Sequence, residues 1–166
     1  MTYYVLVFMH VRTRRIVLGE MRQNPNEPWM KQIAMNVTGW ERELVGARHL
    51  IHDRDAKYSH SFDGILNAAG ISVVKLPPHS PNLNAFAERF VKTIKTECVE
   101  QVVLFGESSL QHVIREHLAH CHAERNHQGI DNAIPFPDVR LEAREVTIVK
   151  AERLGGLLNF YHRQAA

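Results

Sequence analysis

The pattern that most constrains this fold is an alternation of strand-like and helical stretches between residues 49 and 97. Residues 49–52 predict a short strand that ends at Asp53, and residues 71–76 predict a second, buried strand. Residues 61–69 between them have helical spacing. A longer helix is predicted from about Asn84 to Val103. Strands that alternate with helices in this way favour an α/β fold.

Two carboxylates stand at the ends of these elements. Asp53 closes the first strand and Glu88 lies in the first turns of the long helix, with 34 residues between them. Ligands of open α/β sheets gather beyond the carboxyl ends of the strands, so Asp53 is well placed to hold a metal.

The long helix has two different faces when residues are placed about 100° apart around its axis. One face is apolar and predicted to pack, and the other is polar and predicted to point outward. The apolar set is Ala87, Phe90, Val91, Ile94 and Cys98, and the polar set is Asn84, Glu88, Lys92 and Lys95. On spacing alone, the preferred interpretation of Glu88 and Lys92 is an exposed ion pair worth about 0.3–0.5 kcal/mol.

Length and composition set broader limits. The 166 residues, 45% of them hydrophobic, suffice for one core and are too few for two ordinary domains. Cys98 and Cys121 lie on helix faces, which favours reduced thiols in the cytosol over a disulfide framework. The apolar run at residues 3–9 is too short to span a bilayer, so we expect a cytoplasmic protein with no membrane partner.

The N-terminal part predicts a hairpin followed by a helix. Residues 3–11 and 16–20 have strand character, and the arginines between them favour a solvated turn over a DNA contact. Asn26 is a plausible helix cap, and Trp29, Ile33 and Val37 follow at helical spacing.

The C-terminal part predicts a helix over residues 109–124 and then a possible hairpin around Leu154-Gly155-Gly156. A short helix remains the alternative for the last segment. The C-terminal helix carries His112, His117, His120 and His122. Their spacing matches no zinc motif, so a helix surface near nucleic acid is favoured over a zinc site.

Several longer motifs resemble one known family, the integrase-core transposases of bacterial insertion sequences. The resemblance covers nearly the whole chain from Tyr3 onward. The matching segments are Asp53-Arg54-Asp55-Ala56-Lys57-Tyr58, His79-Ser80-Pro81-Asn82-Leu83-Asn84-Ala85-Phe86-Ala87-Glu88-Arg89-Phe90, Thr93-Ile94-Lys95-Thr96-Glu97-Cys98 and Glu124-Arg125-Asn126-His127-Gln128-Gly129.

The resemblance implies a ribonuclease-H-like mixed sheet flanked by helices, with the chemistry of the DDE polynucleotidyl transferases. By resemblance Asp53 is the second catalytic acid and Glu88 the last, and both would bind Mg²⁺ or Mn²⁺. The family's helix faces DNA, which makes Asn84, Lys92 and Lys95 DNA contacts. Asp55 ranks below Asp53 because it takes the place of a turn glycine.

The same resemblance places the first acid on a central strand upstream of Met1, so we expect an N-terminally truncated and impaired enzyme. The neighbouring strands, residues 3–11 and 50–53, would then either pair directly or leave a gap. Residues 1–130 are interpreted as the catalytic core without its first strand, and residues 131–166 as a C-terminal extension.

Three functions follow as hypotheses. The first is a transposase core that cuts and joins transposon ends and target DNA, as a homo-oligomer. The second is a non-catalytic DNA-binding or oligomerising remnant of such an enzyme. The third is a ribonuclease-H-type hydrolase, which would cleave an RNA–DNA hybrid without joining strands.

Overall fold

A computed structural model describes residues 2–39, 43–78, 84–137 and 146–165. Strands and helices alternate through most of this part of the chain. The elements are β1 (Tyr4–Met9), β2 (Ile16–Arg22), α1 (Glu27–Thr38), β3 (His49–His52), α2 (His60–Ala68), β4 (Ser72–Lys75), α3 (Ala85–Glu97), α4 (Gly106–Ala123), β5 (Val146–Arg153) and β6 (Leu158–Ala165). None of the helices described is both long and apolar enough to cross a membrane.

The described strands form three separate pairs, which are β1 with β2, β3 with β4, and β5 with β6. β3 and β4 are parallel, with Leu50 opposite Val73 and Ile51 opposite Val74. The mixed α/β composition is therefore confirmed, whereas a continuous mixed sheet is not formed by these strands. We expected β1 and β3 either to pair directly or to leave a gap between them. The two described strands share no ladder of hydrogen bonds, which agrees with the second expectation.

The chain packs as two compact units. The first contains Met1–Phe8 and Val17–Glu88, and the second contains Met9–Ile16 and Arg89–Ala166. Asp53 and Glu88 both belong to the first unit.

Local signals in the first unit place α1 and α2. The Asn26 side chain caps α1 by accepting a hydrogen bond from the Trp29 backbone N–H at 3.1 Å, as predicted. Ser59 caps α2 in the same way, through the N–H of Phe62. Both caps satisfy N–H groups that have no partner inside the helix.

The core of the first unit lies between these two helices. The fully buried side chains include Ile33, Phe62 and Leu66, and Trp29 and Val37 complete the predicted stripe of α1. Both sheets of the unit contribute: Leu6 and Phe8 of β1, and Leu50 and Val73 of β3 and β4, pack against the same cluster. One apolar core thus supports two sheets that are not hydrogen-bonded to each other.

The prediction of a buried strand at residues 71–76 is wrong for most of its length. Ile71 and Leu76 are buried, but they flank β4, in which Ser72, Val74 and Lys75 are exposed. Val74 retains 41% of its accessible surface. A strand alternates its side chains between two faces, and here only the face that bears Val73 meets the core.

The predicted faces of α3 are correct for most positions. Phe90, Ile94 and Cys98 are buried, whereas Val91, which was predicted to pack, is 41% exposed. The helix ends at Glu97 instead of continuing to Val103, and a 3₁₀ turn follows at Val99–Gln101. The β-branched valines after Cys98 are poor helix formers, which is consistent with this early end.

Ion pairs and a hairpin complete the second unit. Arg125, just beyond α4, makes a bidentate pair with Glu97 at the end of α3. Arg153 of β5 donates to Glu116 of α4 and to Glu124, which directly follows α4, and Leu158 is buried with Cys98 and Val113. These contacts fix β5 on α4 through charge and β6 through apolar packing.

The predicted C-terminal hairpin is confirmed, and its strands are longer than expected. Lys150 lies opposite Tyr161, and Arg153 lies opposite Leu158. The turn has positive φ at Leu154, Gly155 and Gly156, of 52°, 66° and 89°. Two glycines in succession make such a turn feasible, because glycine adopts positive φ without a Cβ clash.

Candidate functional site

The loop that follows β3 presents the first candidate acid. Asp53 is exposed, and one of its carboxylate oxygens, Oδ1, accepts a hydrogen bond from the Asp55 N–H at 3.1 Å. Asp55 in turn accepts from the Lys57 N–H at 2.9 Å and from Lys57 Nζ. We call residues 53–58 the acid loop. Each acid therefore fixes the backbone two residues further on, as short polar side chains do in turns.

Charge is unevenly shared within the acid loop. The backbone N–H and the ammonium group of Lys57 lower the pKa of Asp55, so this carboxylate is already compensated. Burial, followed by the charges of Asp53 and Asp55, raises the pKa of Tyr58 to about 12. Lys57 also lies over the Tyr4 ring of β1, 4.6 Å from its centroid. Asp53 is thus the better placed of the two acids to receive a cation.

The second candidate acid lies on α3. Glu88, Lys92 and Lys95 are all exposed on this helix, and Asn84, immediately before it, is half-buried. Their placement agrees with the polar face predicted from the sequence. Asp53 stands on a different element of the same unit as Glu88. Residues 79–83, which begin the longest motif, lie outside the described part of the chain.

Asp53 and Glu88 are the candidate ligands of a metal. Among the residues that the structure describes, no three His, Cys, Asp or Glu side chains are grouped so that they could hold one metal ion. Mg²⁺ does not require such a cage, because it keeps several waters and often binds through one or two carboxylates together with substrate phosphates. Asp53 and Glu88 are hard, exposed oxygen donors of the kind that this mode of binding uses.

Three polar residues beside the acid loop were not assigned from the sequence. The His52 ring lies between the Asp53 carbonyl oxygen and Asp63 of α2, and Asp63 also pairs with Lys75 of β4 at 2.6 Å. His52 and Asp63 are buried. The motifs of the sequence assign Asp63 no role. Its position next to Phe62 on the apolar side of α2 was the available signal that it would be buried and therefore paired.

The histidines of α4 correct a prediction. His117 is completely buried and His120 is 9% exposed, so these two do not form a nucleic-acid-facing surface. His117 Nδ1 lies 3.3 Å from Cys98 Sγ, and its Nε2 lies 3.3 Å from Cys121 Sγ. The two nitrogens face in different directions, so both thiols cannot join the ring on a single metal. Both cysteines are free and buried, as predicted.

This buried set predicts a loss of stability in mild acid. Burial lowers the pKa of His117 to about 4, below the value of about 6.5 in an unfolded chain. Between these values the unfolded chain takes up a proton that the native ring does not. The free energy of unfolding should therefore be highest above about pH 6.5 and fall by up to about 3 kcal/mol toward pH 4. Urea unfolding measured between about pH 4 and pH 6.5 checks this fall in the free energy of unfolding.

The matched control is another histidine of the same helix. His112 is exposed, so His112→Gln should leave the pH profile unchanged, whereas His117→Gln should flatten it. Carboxylates also titrate in this range, and comparing each variant with the unchanged chain removes their contribution. Parallel profiles for the His117 variant and the unchanged chain would contradict the prediction.

Comparison with known proteins finds a likeness to one family and to solved structures. Residues 69–135 match the family described as integrase core domain. The fold resembles a chain in the cryo-EM structure of the simian T-cell lymphotropic virus intasome in complex with PP2A regulatory subunit B56 gamma. The TM-score is 0.57 at 12% sequence identity, over 98% of this chain and 62% of that one. This chain thus corresponds to somewhat under two thirds of that chain's length.

No curated protein sequence matches. The family match includes Glu88 and the polar face of α3 but begins after Asp53. The structural match extends the likeness in fold to nearly the whole chain. This protein is therefore similar to the integrase core domain over residues 69–135, on a fold found in a retroviral intasome.

Proposed function

We propose that this protein is the catalytic core of a DNA transposase of the insertion-sequence type, which cuts and joins DNA strands with Mg²⁺ or Mn²⁺. The observation that carries the proposal is the integrase-core match over residues 69–135, which contains Glu88, Lys92 and Lys95. The exposed Asp53 at the carboxyl end of the parallel strand β3 supports it, because that end of a strand is where α/β folds bind ligands. We take β3, α2, β4 and α3 as the ribonuclease-H-like part of the chain.

In this proposal Asp53 and Glu88 are the second and last acids of a DDE site, and both would bind the metal. Bound there, the ion would activate the attacking water or 3′-hydroxyl and stabilise the leaving oxygen at phosphorus. The hydrogen bond from the Asp55 N–H orients the Asp53 carboxylate by one of its oxygens. Waters and DNA phosphates would supply the remaining ligands, as is usual for Mg²⁺.

The basic residues of α3 would position the DNA. Lys92 and Lys95 are exposed on the helix that carries Glu88, where their ammonium groups would neutralise backbone phosphates near the reacting one. Asn84 would add a hydrogen bond to the same strand. Contacts of this kind bind DNA without reading its sequence, so this helix would hold transposon ends and target alike. The neighbour in fold is part of an intasome, and we propose that this protein also acts as a homo-oligomer on DNA.

A second candidate function is supported by one observation. Among the described residues, no three His, Cys, Asp or Glu side chains are grouped so that they could hold one metal ion. A DNA-binding or oligomerising protein without turnover would need no complete metal site, and it would use the same lysines of α3.

An assay with branched DNA distinguishes the catalytic function from the non-catalytic one. A strand-transfer enzyme can resolve such a branch by the reverse of strand transfer, and the assay does not require that the end sequence be known. The full chain is incubated with a labelled Y-shaped duplex and Mn²⁺ or Mg²⁺, with EDTA as control. We expect metal-dependent resolution of the branch. Binding that weakens steeply with salt but gives no product would favour the non-catalytic candidate. Cleavage of an RNA–DNA hybrid without joining would instead indicate a hydrolase.

A further inference from the structure

A buried polar network lies directly behind the acid loop. Its centre is His52, the last residue of β3, which is 5% exposed. Nδ1 of the ring is 2.5 Å from the backbone carbonyl oxygen of Asp53. A carbonyl oxygen can only accept, so Nδ1 is the donor, and Nε2 is left to face the other side of the ring.

On that other side, Nε2 lies 3.1 Å from Oδ1 of Asp63, which is 7% exposed on α2. The second oxygen of Asp63 pairs with Lys75 of β4 at 2.6 Å. The network therefore joins β3, α2 and β4, the three elements that surround the acid loop. Arg54 adds a fourth restraint by donating from Nε to the Leu76 carbonyl oxygen at 3.0 Å.

Aromatic packing fixes the plane of the His52 ring. Tyr58 stacks on it with centroids 4.2 Å apart, and Phe62 meets it edge-on at 6.3 Å. Tyr58 is itself the last residue of the acid loop. The imidazole is thus restrained by rings on its faces and edge and by polar partners at both nitrogens, which leaves it little freedom to turn.

Stabilisation of the fold alone does not explain why these polar groups are buried. Buried charged pairs lose much of their attraction to desolvation, and apolar side chains of similar volume often stabilise a core equally well. His52 connects the network to one backbone atom of the acid loop, the carbonyl oxygen of Asp53. The contact with His52 restrains the Asp53 peptide, and the hydrogen bond from the Asp55 N–H restrains the Asp53 carboxylate. Together these two contacts orient the carboxylate.

We infer that His52 and Asp63 are positioning residues that orient the Asp53 carboxylate for a divalent cation. The inference deepens the proposed function and rests on it in one respect, the role of Asp53 as a metal ligand. Neither residue touches the metal or the DNA. They act through the Asp53 peptide, in the way that outer partners orient metal ligands in other proteins.

Mn²⁺ binding tests this inference without any DNA reaction. Free Mn²⁺ is titrated by electron paramagnetic resonance against the full chain, and Asp53→Asn defines the portion of binding that depends on Asp53. Asp63→Leu, which removes the partner of His52, should weaken this portion about tenfold. Asp63→Asn keeps an oxygen acceptor toward His52 and should lose no more than about twofold. The preserved affinity of the conservative variant separates orientation from general damage.

Two further variants keep the test decisive. If Asp63→Leu does not fold, His52→Phe replaces it, because phenylalanine keeps the stack on Tyr58 and removes both polar contacts; the same tenfold loss is expected. Ile33→Val weakens the same core from α1, where no member of the network lies, and should leave Mn²⁺ affinity unchanged.

The outcomes separate the inference from the proposed function. Asp53-dependent binding that is insensitive to Asp63→Leu and His52→Phe, or equally reduced by Ile33→Val, would overturn the inference alone. Equal Mn²⁺ binding by the unchanged chain and Asp53→Asn would overturn it together with the assigned metal ligand. A tenfold loss in a chain that resolves no branched DNA would support the inference while the proposed reaction fails.

Discussion

Glu88→Gln and Asp53→Asn are each expected to reduce resolution of branched DNA to the level seen with EDTA. An amide has nearly the shape of the carboxylate but lacks the charge that holds Mg²⁺ or Mn²⁺. The expected loss is at least about 10³-fold, on the order of 4 kcal/mol of transition-state stabilisation. Both acids are exposed, so the variants should fold normally and still bind DNA through α3. Rates of branch resolution, with DNA binding measured alongside, check the prediction.

Two acids of the same chain serve as matched controls. Glu100, exposed after α3, is assigned no role, and Glu100→Gln should retain full activity. Asp55→Asn is the stricter control, because Asp55 lies only two residues from Asp53. Its carboxylate is hydrogen-bonded and ion-paired to Lys57. This variant should lose no more than about tenfold, about 1.4 kcal/mol. If Asp55→Asn abolishes the reaction and Asp53→Asn does not, the acid of this loop has been assigned wrongly.

Phe62→Ala should destabilise the first unit more than other single truncations of comparable size. The ring is fully buried among the α1 and α2 side chains and also packs against Tyr58 and His52. Removing a buried phenylalanine ring costs about 3–5 kcal/mol, because the site loses transfer free energy and keeps part of the cavity. Urea unfolding followed by the fluorescence of the buried Trp29 measures the difference.

A phenylalanine outside the core provides the control. Phe105 is 81% exposed, so Phe105→Ala should change the free energy of unfolding by less than about 0.5 kcal/mol. A loss below about 1 kcal/mol for Phe62→Ala would mean that the site collapses around the missing ring, against the packing described. Because Phe62 also borders the acid loop, the same variant should reduce DNA joining, which distinguishes it from truncations elsewhere in the core.

Local chemistry made several elements predictable. Asn26 caps α1, the apolar positions of α1 and α4 recur at helical spacing, and Gly155 and Gly156 permit the turn of the last hairpin. Each of these signals depends on residues only a few positions apart. The position of Asp53 directly after a short strand is of the same kind, and so is the exposure of Glu88, Lys92 and Lys95.

Other predictions failed because they depended on neighbours that are distant in sequence. The pattern of residues 71–76 is apolar enough for a buried strand, but in the structure Val73 packs against the core while Val74, on the opposite face of β4, is exposed. Val91 lies on the predicted packing face of α3, yet nothing within the helix determines whether another element covers that position. Which strands join into one sheet is likewise a long-range property, and here the described strands form three pairs.

The sequence by itself determined most of the elements and the Asn26 cap, because these depend on short-range geometry and side-chain chemistry. The two candidate acids came from the longer motifs and their resemblance to a family. Only the tertiary structure decided the use of the buried polar residues. From the sequence, Asp63 has no assigned role and His117 is predicted on a helix surface. In the structure, Asp63 meets the His52 ring and His117 lies between two thiols. A polar group is buried only where a partner meets it, and such partners are brought together by folding.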